Sequence, residues 1–168
     1  TIGAAYVEWF AEEARRIYGD VIPTIGNDRR LVVIKQPIGV CAAITPWNFP
    51  LAIFSGQIAA ALMAGNAVVA KPAEQTPLIA SEAVRLLLDA GIDQSALHLV
   101  PGDGEIGAAL VAHADIAGVV FTGSTDVAQK INRALAAKDG PIVPLIAETG
   151  GINAMVVDAT ALPEQVAD

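Results

Sequence analysis

The sequence predicts an α/β domain built on a doubly wound, Rossmann-like parallel sheet, preceded by an N-terminal helix and one strand of an oligomerisation arm. Three observations carry this. Short runs that are apolar throughout, such as Ala67–Lys71 up to its last residue and Gly118–Thr122, alternate with helical segments; such strands belong in parallel sheets covered on both faces. Hydrophobic residues are 54% of the 168 positions and charged residues 17%, which supports a large core and rules out disorder. Aromatic residues are only 5%, so that core must be aliphatic and rich in small side chains.

Residues 1–37 read as an attachment in front of the alternation. Tyr6, Phe10, Ala14 and Ile17 fall at helical spacing over Tyr6–Tyr18, with Glu8, Glu12, Glu13, Arg15 and Arg16 on the wet side. Gly19 stops this helix and Pro23 prevents its resumption. The polar turn Gly26-Asn27-Asp28 then leads into a β-branched strand, Leu31–Gln36. Residues 38–157 form the main domain. Its strands are expected at Val40–Thr45, Ala67–Lys71, Leu97–Val100, Gly118–Thr122, Val143–Ala147 and Asn153–Val157. Its helices are expected at Leu51–Ala64, Pro77–Ala90, Ile106–Ala112 and Ser124–Ala137. Gly65 and Gly91 close two of these helices, and Pro77 suits a first helical turn. Residues 158–168 read as the start of a following segment, with Pro163 and Glu164 opening another helix.

Charge and composition exclude several functions. Eighteen acidic against ten basic residues give a net charge of −8, with no Lys/Arg cluster, so a nucleic-acid partner is not expected. Gln57, Asn66 and Lys71 interrupt the apolar stretches well short of the roughly 20 residues that span a bilayer. No basic segment followed by an apolar one opens the chain, and the single cysteine, Cys41, cannot form an internal disulfide. A cytoplasmic protein is therefore expected.

A doubly wound sheet binds ligands beyond the carboxyl ends of its strands. The segments to inspect are 45–50, 71–77, 101–107, 122–125 and 148–151, which hold most of the unusual residues. Gly102-x-Gly104-x-x-Gly107 follows the third strand of the alternation and lacks a downstream acidic partner. It is a weak dinucleotide fingerprint, and a tight strand-to-helix turn is the simpler reading. Thr122-Gly123-Ser124-Thr125 joins a strand to a helix start, which suits an anion as well as an ordinary N-cap. Lys71 closes a buried strand with Glu74 three residues on, either facing the crevice and a ligand diol or forming a surface ion pair. Asn48 lies in Pro46-Trp47-Asn48-Phe49-Pro50, where two prolines fix the loop and two aromatics are expected to pack it. Its amide is either a rigid oxyanion donor or a turn residue bonded to its own backbone. Glu148, beside Thr149, Gly150 and Gly151, is a candidate general base or a solvated loop residue. Cys41 in mid-strand reads as core filler, His98 and His113 stand alone, and no metal-binding constellation is present.

Taken in order, Ile44-Thr45-Pro46-Trp47-Asn48-Phe49-Pro50, Lys71-Pro72-Ala73-Glu74-Gln75-Thr76-Pro77, Phe121-Thr122-Gly123-Ser124-Thr125 and Glu148-Thr149-Gly150-Gly151 resemble the NAD(P)-dependent aldehyde dehydrogenase superfamily in its cofactor-binding region. The resemblance implies that Thr45, Pro46 and Trp47 line the nicotinamide half of the site and that Asn48 donates to the oxyanion of a thiohemiacetal. It implies further that Lys71 and Glu74 hold the adenosine ribose, Gly102 and Gly107 border the adenine, and Ser124 touches the pyrophosphate. Glu148 becomes the general base, with the Thr149 backbone and Gly150 near the nicotinamide. A carboxylate at Glu74 should repel a 2′-phosphate, so NAD is expected over NADP.

Two departures stand out. Ala128 occupies a position that is usually Gly in the family, and the family's nucleophilic cysteine, which lies downstream of Glu-x-Gly-Gly, is not among these residues. Tyr6–Pro50 is similar to succinate-semialdehyde dehydrogenase. Leu51–Asp168 is similar to the glutamate-semialdehyde (pyrroline-5-carboxylate) dehydrogenase of bifunctional proline-utilisation proteins. The resemblance implies a small-molecule aldehyde substrate, glutamate semialdehyde ahead of succinate semialdehyde. It also implies a homo-oligomeric full-length enzyme, in which Leu31–Gln36 pairs with a strand from beyond this segment, and no dehydrogenase turnover by these residues alone. The alternative is a non-catalytic nucleotide-binding module that keeps the crevice without the chemistry.

Overall fold

The computed structural model describes every residue except Asn27, Asn153 and Asp168. The chain begins with α1 (Ile2–Glu13), capped by Thr1, whose hydroxyl accepts from the Ala4 N–H at 3.4 Å. The helix starts earlier than its apolar spacing suggests and tightens into a 3₁₀ turn over Ala14–Arg16. A strand not anticipated from the sequence follows, β1 (Asp20–Ile22), which pairs antiparallel with β2 (Leu31–Val33). The expected arm strand is thus shorter than Leu31–Gln36, and its described partner is local. Pro23 ends β1 where a ladder N–H would be needed. Of the turn between the two strands, Asn27 lies outside the described residues.

Among the described residues, five parallel strands form the main sheet: β3 (Val40–Ile44), β4 (Ala67–Lys71), β5 (Leu97–Leu99), β6 (Ile116–Gly123) and β7 (Leu145–Thr149), in the order β5-β4-β3-β6-β7. The helices are α2 (Ala52–Met63), α3 (Pro77–Asp89), α4 (Gly104–Ala112) and α5 (Thr125–Ala136), with a short α6 (Pro163–Ala167) after the sheet. The chain winds outward from β3 to β5, then crosses back through α4 to β6 on the other side of β3. This is the doubly wound topology, with its reversal point between β3 and β6.

Strand alternation divides the core. Ala42 and Ile44 point to one face with Val119 and Phe121, where α4 and α5 contribute Val111, Ala128, Ile131 and Leu135. Ala43, Val68 and Ala70 point to the other face, where α2 and α3 contribute Phe54, Ile58, Ala80, Ala83 and Val84. The core is aliphatic and rich in small residues, as the composition requires. Ala128, the departure noted above, is buried in it against the sheet.

Small residues also seat α1 on α2. A Cβ at Gly3 would lie 3.2 Å from Leu51 Cγ and from Ser55 Oγ, and one at Gly56 would lie 3.3 Å from the Tyr6 ring. At the foot of the sheet, the Asn66 side-chain oxygen accepts from the N–H groups of Ile38 at 2.8 Å and Gly39 at 3.2 Å. That fixes where the arm enters β3.

Besides the arm strand, β6 starts two residues earlier than expected, at Ile116, and two further strand expectations differ from the structure. The strand expected at Val143–Ala147 runs instead over Leu145–Thr149, because Pro144 offers no ladder N–H and only its carbonyl is used, accepting from Val119 N at 3.0 Å. Glu148 and Thr149 are therefore strand residues. Of the strand expected at Asn153–Val157, Asn153 lies outside the described residues. Residues 154–157 form no ladder among the described residues, and Met155 and Val156 are largely exposed. An apolar run becomes a parallel strand only when an edge and a covering layer are available to it.

Phe54 is fully buried between α2 and the sheet. Phe54→Ala is expected to lower the unfolding free energy by about 3–5 kcal/mol in urea titrations, through lost transfer energy and the cavity left behind.

Candidate functional site

The reversal between β3 and β6 leaves their carboxyl ends flanked by helices that depart to opposite faces. A cleft of about 620 Å³ opens there. Its floor is the end of β3 and β4: Thr45 is buried and its N–H donates to the Lys71 carbonyl at 3.1 Å. One wall is the Ala73–Gln75 turn with Glu74. The other is an apolar slot between α4 and α5, lined by Gly107, Ala108, Val111, Val127 and Ile131. Pro46, Trp47, Gly123 and Ser124 form the rim.

Those four rim residues, with Thr122, also line a second hollow of about 980 Å³ on the α2 side of the sheet. Asn48, Glu148, Thr149 and Gly150 all belong to this hollow. Loops separated by a hundred residues thus meet around one continuous crevice. Gly102 lines neither space; a Cβ there would collide with Ile106 at 2.5 Å, so its role is a tight turn into α4. Gly104 and Gly107 do reach the cleft, and Asp103 caps α4 by accepting from the N–H groups of Glu105 and Ile106.

Lys71 is 6% exposed and its Nζ donates to the Pro72 carbonyl at 2.9 Å, so it is not half of a surface ion pair. Burial pushes its pKa below the ordinary 10.5, while the carboxylates of Glu74 and Asp103 pull the other way. The amine is thus held at the cleft floor by the Pro72 carbonyl, within the field of two carboxylates. Ser124 is the N-cap of α5: its hydroxyl accepts from Val127 N at 3.3 Å. The remaining N–H groups of that first turn have no intrahelical acceptor, and the turn begins at the rim residue Ser124. Gly123 lets the chain turn over Phe121, whose ring atom Cζ would lie 2.5 Å from a Cβ.

The aromatics beside Asn48 do not pack its loop as the sequence suggests. Trp47 is 64% exposed and flanks the open crevice, and Phe49 is 57% exposed. The bend is held instead by Pro46, Pro50 and the start of α2. Cys41 is buried near the opposite end of β3 and lines an apolar hollow that adjoins the second one at Gln57, Ala60, Val120 and Ile146; burial raises its thiol pKa.

Sequence reasoning missed two polar groups of the crevice. Lys130 of α5 lines the cleft. Gln57 of α2 borders the second hollow, and its Nε2 donates to Thr122 Oγ1 at 2.8 Å. The signal for Gln57 was an amide standing in the otherwise apolar run Ile58–Met63 and the residues before it. Among the described residues no helix is long and apolar enough to cross a membrane.

Comparisons with known proteins show the family and the fold. The profile of the Aldehyde dehydrogenase family matches residues 2–168. The chain is 56% identical over 164 residues to the "Bifunctional protein PutA" of Rhizobium meliloti, covering 96% of this chain and 12% of that protein. It is 52% identical over 132 residues to the mitochondrial succinate-semialdehyde dehydrogenase of Oryza sativa subsp. japonica, covering 78% of this chain and 25% of that one. The crystal structure of the D779Y mutant of Bradyrhizobium japonicum Proline Utilization A superposes with a TM-score of 0.88 at 65% identity, over 99% of this chain and 17% of that one. A structure described as an E. coli NADP dependent enzyme superposes with a TM-score of 0.84 at 43% identity, over 89% of this chain and 31% of that one. The chain therefore spans about an eighth of the PutA relative it matches.

Because the unfolded chain binds the Lys71 proton more tightly than the folded one, stability should rise with pH from the depressed folded pKa up to 10.5. Urea unfolding of the wild type and Lys71→Met across the alkaline range checks this: the variant should lack that part of the rise.

Proposed function

The chain belongs to the aldehyde dehydrogenase family, and from that premise we propose that it is the NAD-binding region of an enzyme that oxidises a small semialdehyde to the carboxylic acid. The observation that carries the reading is the continuity of cleft and hollow. A ligand gripped at Lys71 and Glu74 can pass the N-terminus of α5 and end beside Asn48 and Glu148. The residues present suit a dinucleotide. The slot between α4 and α5 is apolar and lined by small side chains, which accommodates a flat base. The first turn of α5 offers N–H donors and the positive end of the helix to a pyrophosphate. Lys71 and Glu74 supply a donor and an acceptor for ribose hydroxyls, and the Glu74 carboxylate disfavours a 2′-phosphate. NAD is therefore the proposed cofactor ahead of NADP.

When bound, oxidised nicotinamide supplies the two-electron acceptor for the aldehyde. The chain's own residues do the rest of what is assigned here. Asn48 Nδ2 donates to the oxygen that becomes negative when a thiol adds to the aldehyde carbon, stabilising charge present only after attack. Glu148 accepts a proton from the thiol, releases it to solvent, and then accepts one from the water that frees the acid. Thr149 and Gly150 leave room beside it for the substrate. The attacking thiol comes from outside these residues, since Cys41 is buried, has a raised pKa and lies near the end of β3 remote from the crevice. The 168 residues alone should therefore bind the cofactor and leave aldehyde unoxidised. Glutamate semialdehyde is the favoured substrate and succinate semialdehyde the next. This order is supported by the longer match to the proline-utilisation relative than to the succinate-semialdehyde one.

Calorimetry on this chain should show NAD binding more tightly than NADP, and Glu74→Gln should narrow the difference; equal affinities in the wild type would refute the ribose assignment. In the complete enzyme that contains this region, Asn48→Ala should lower kcat by about 100- to 1000-fold in a steady-state aldehyde-oxidation assay.

A further inference from the structure

Two helices start at the cleft, and they are capped differently. Ser124 caps α5 with a neutral hydroxyl, whereas Asp103 caps α4 with a carboxylate and Glu105 adds a second acid in the first turn. The positive end of α5 is therefore open to an anion, while that of α4 is already offset by the chain's own charge. The start of α4 lies beside Lys71. The Val100 N–H donates to the Ala70 carbonyl at 2.9 Å, which brings the turn into α4 alongside the end of β4. A Cβ on Gly107 would lie 3.4 Å from Lys71 Cδ, so the helix rests on the lysine stem, and Gly104, next to Asp103, lines the cleft. Both capping bonds of Asp103 use Oδ1; among the described residues Oδ2 has no hydrogen-bond partner.

The carboxylates of Glu74 and Asp103, from two different loops, both act on the one buried amine of Lys71. Glu74 by itself would only balance that amine; the second carboxylate leaves this end of the cleft net negative. Lys130, the other cation lining the cleft, belongs to α5 on the far side of the slot. We propose that Asp103 is a specificity-determining residue: together with Glu74 it excludes a dinucleotide bearing a phosphate on the adenosine ribose and admits one with free hydroxyls there. Such a phosphate adds about two negative charges, which the α4 start would attract if its cap were neutral. This rests on the NAD reading above and assigns part of the discrimination to a residue outside the cofactor-binding set drawn from the sequence. Glu74→Gln alone should therefore leave a residual preference for NAD.

Asp103→Asn and Asp103→Ser remove the charge and keep a side chain that caps α4 well, which separates specificity from folding. Calorimetry on this chain should show NADP affinity rising by about 3- to 10-fold in both, with NAD affinity within about two-fold of the wild type. Asp115→Asn removes the same charge at the amino end of β6, away from the cleft, and should change neither affinity. Combining Asp103→Asn with Glu74→Gln should narrow the NAD/NADP difference further than either change alone. Unchanged NADP affinity in both Asp103 variants, with Glu74→Gln still narrowing the difference, would overturn this inference and leave the NAD reading standing. An equal gain in Asp115→Asn, or an equal gain for NAD, would also overturn it by showing a general charge effect. Parallel loss of both cofactors in the two Asp103 variants would reduce Asp103 to a helix cap. Wild-type chain that binds no NAD would instead overturn the NAD reading, and this inference with it.

Discussion

The parallel pairing of β3 with β6 is the constraint on which everything else rests. These strands are adjacent in space but separated in the chain by two helices, two strands and a crossover. Because the connections leave them in opposite senses, α2 covers one face of the sheet and α5 the other. Among the described residues, open spaces lie above their carboxyl ends. The resulting crevice is a consequence of topology, and the residues at those ends face it whatever their chemistry.

The sequence exploits this with small residues. Ala42, Ala43 and Ala70 are fully buried in the central strands, so the helices can pack close against the sheet. Gly123 permits the sharp exit from β6 over the Phe121 ring, which brings Ser124 and the start of α5 to the rim. A buried lysine at the end of β4 is tolerated because its amine reaches a backbone carbonyl and the open cleft. The two locally unfavourable positions, Lys71 and Gln57, thus both border the crevice.

Much of this was legible from residue order. Ala67–Lys71 was located to the residue, and the helices of the main domain to within two residues at their ends. Their caps, such as Pro77 and Gly91, act through local backbone geometry. Lys71, Glu74, Asn48 and Glu148 were recognisable as candidates because strand ends in this fold class all point one way. Less legible were β1, the offset of β7 and the absence of pairing in residues 154–157. Each depends on whether another segment is there to accept hydrogen bonds, which no local pattern records. The exposed state of Trp47 and Phe49 was misread for the same reason, since an aromatic pair packs only if the space beside it is filled.

By itself, the sequence determined the alternation of apolar strands and helices, the family, and the chemical types available at each strand end. Those properties are written in nearest-neighbour spacing and composition. Only the tertiary structure decided that Asn48 and Glu148 border one hollow, that Gly102 stands outside it, and that Gln57 reaches Thr122 across sixty-five residues. The physical reason is that a hydrogen bond or a shared cavity depends on distance in space, and strand order converts sequence separation into distance in a way that periodicity cannot supply.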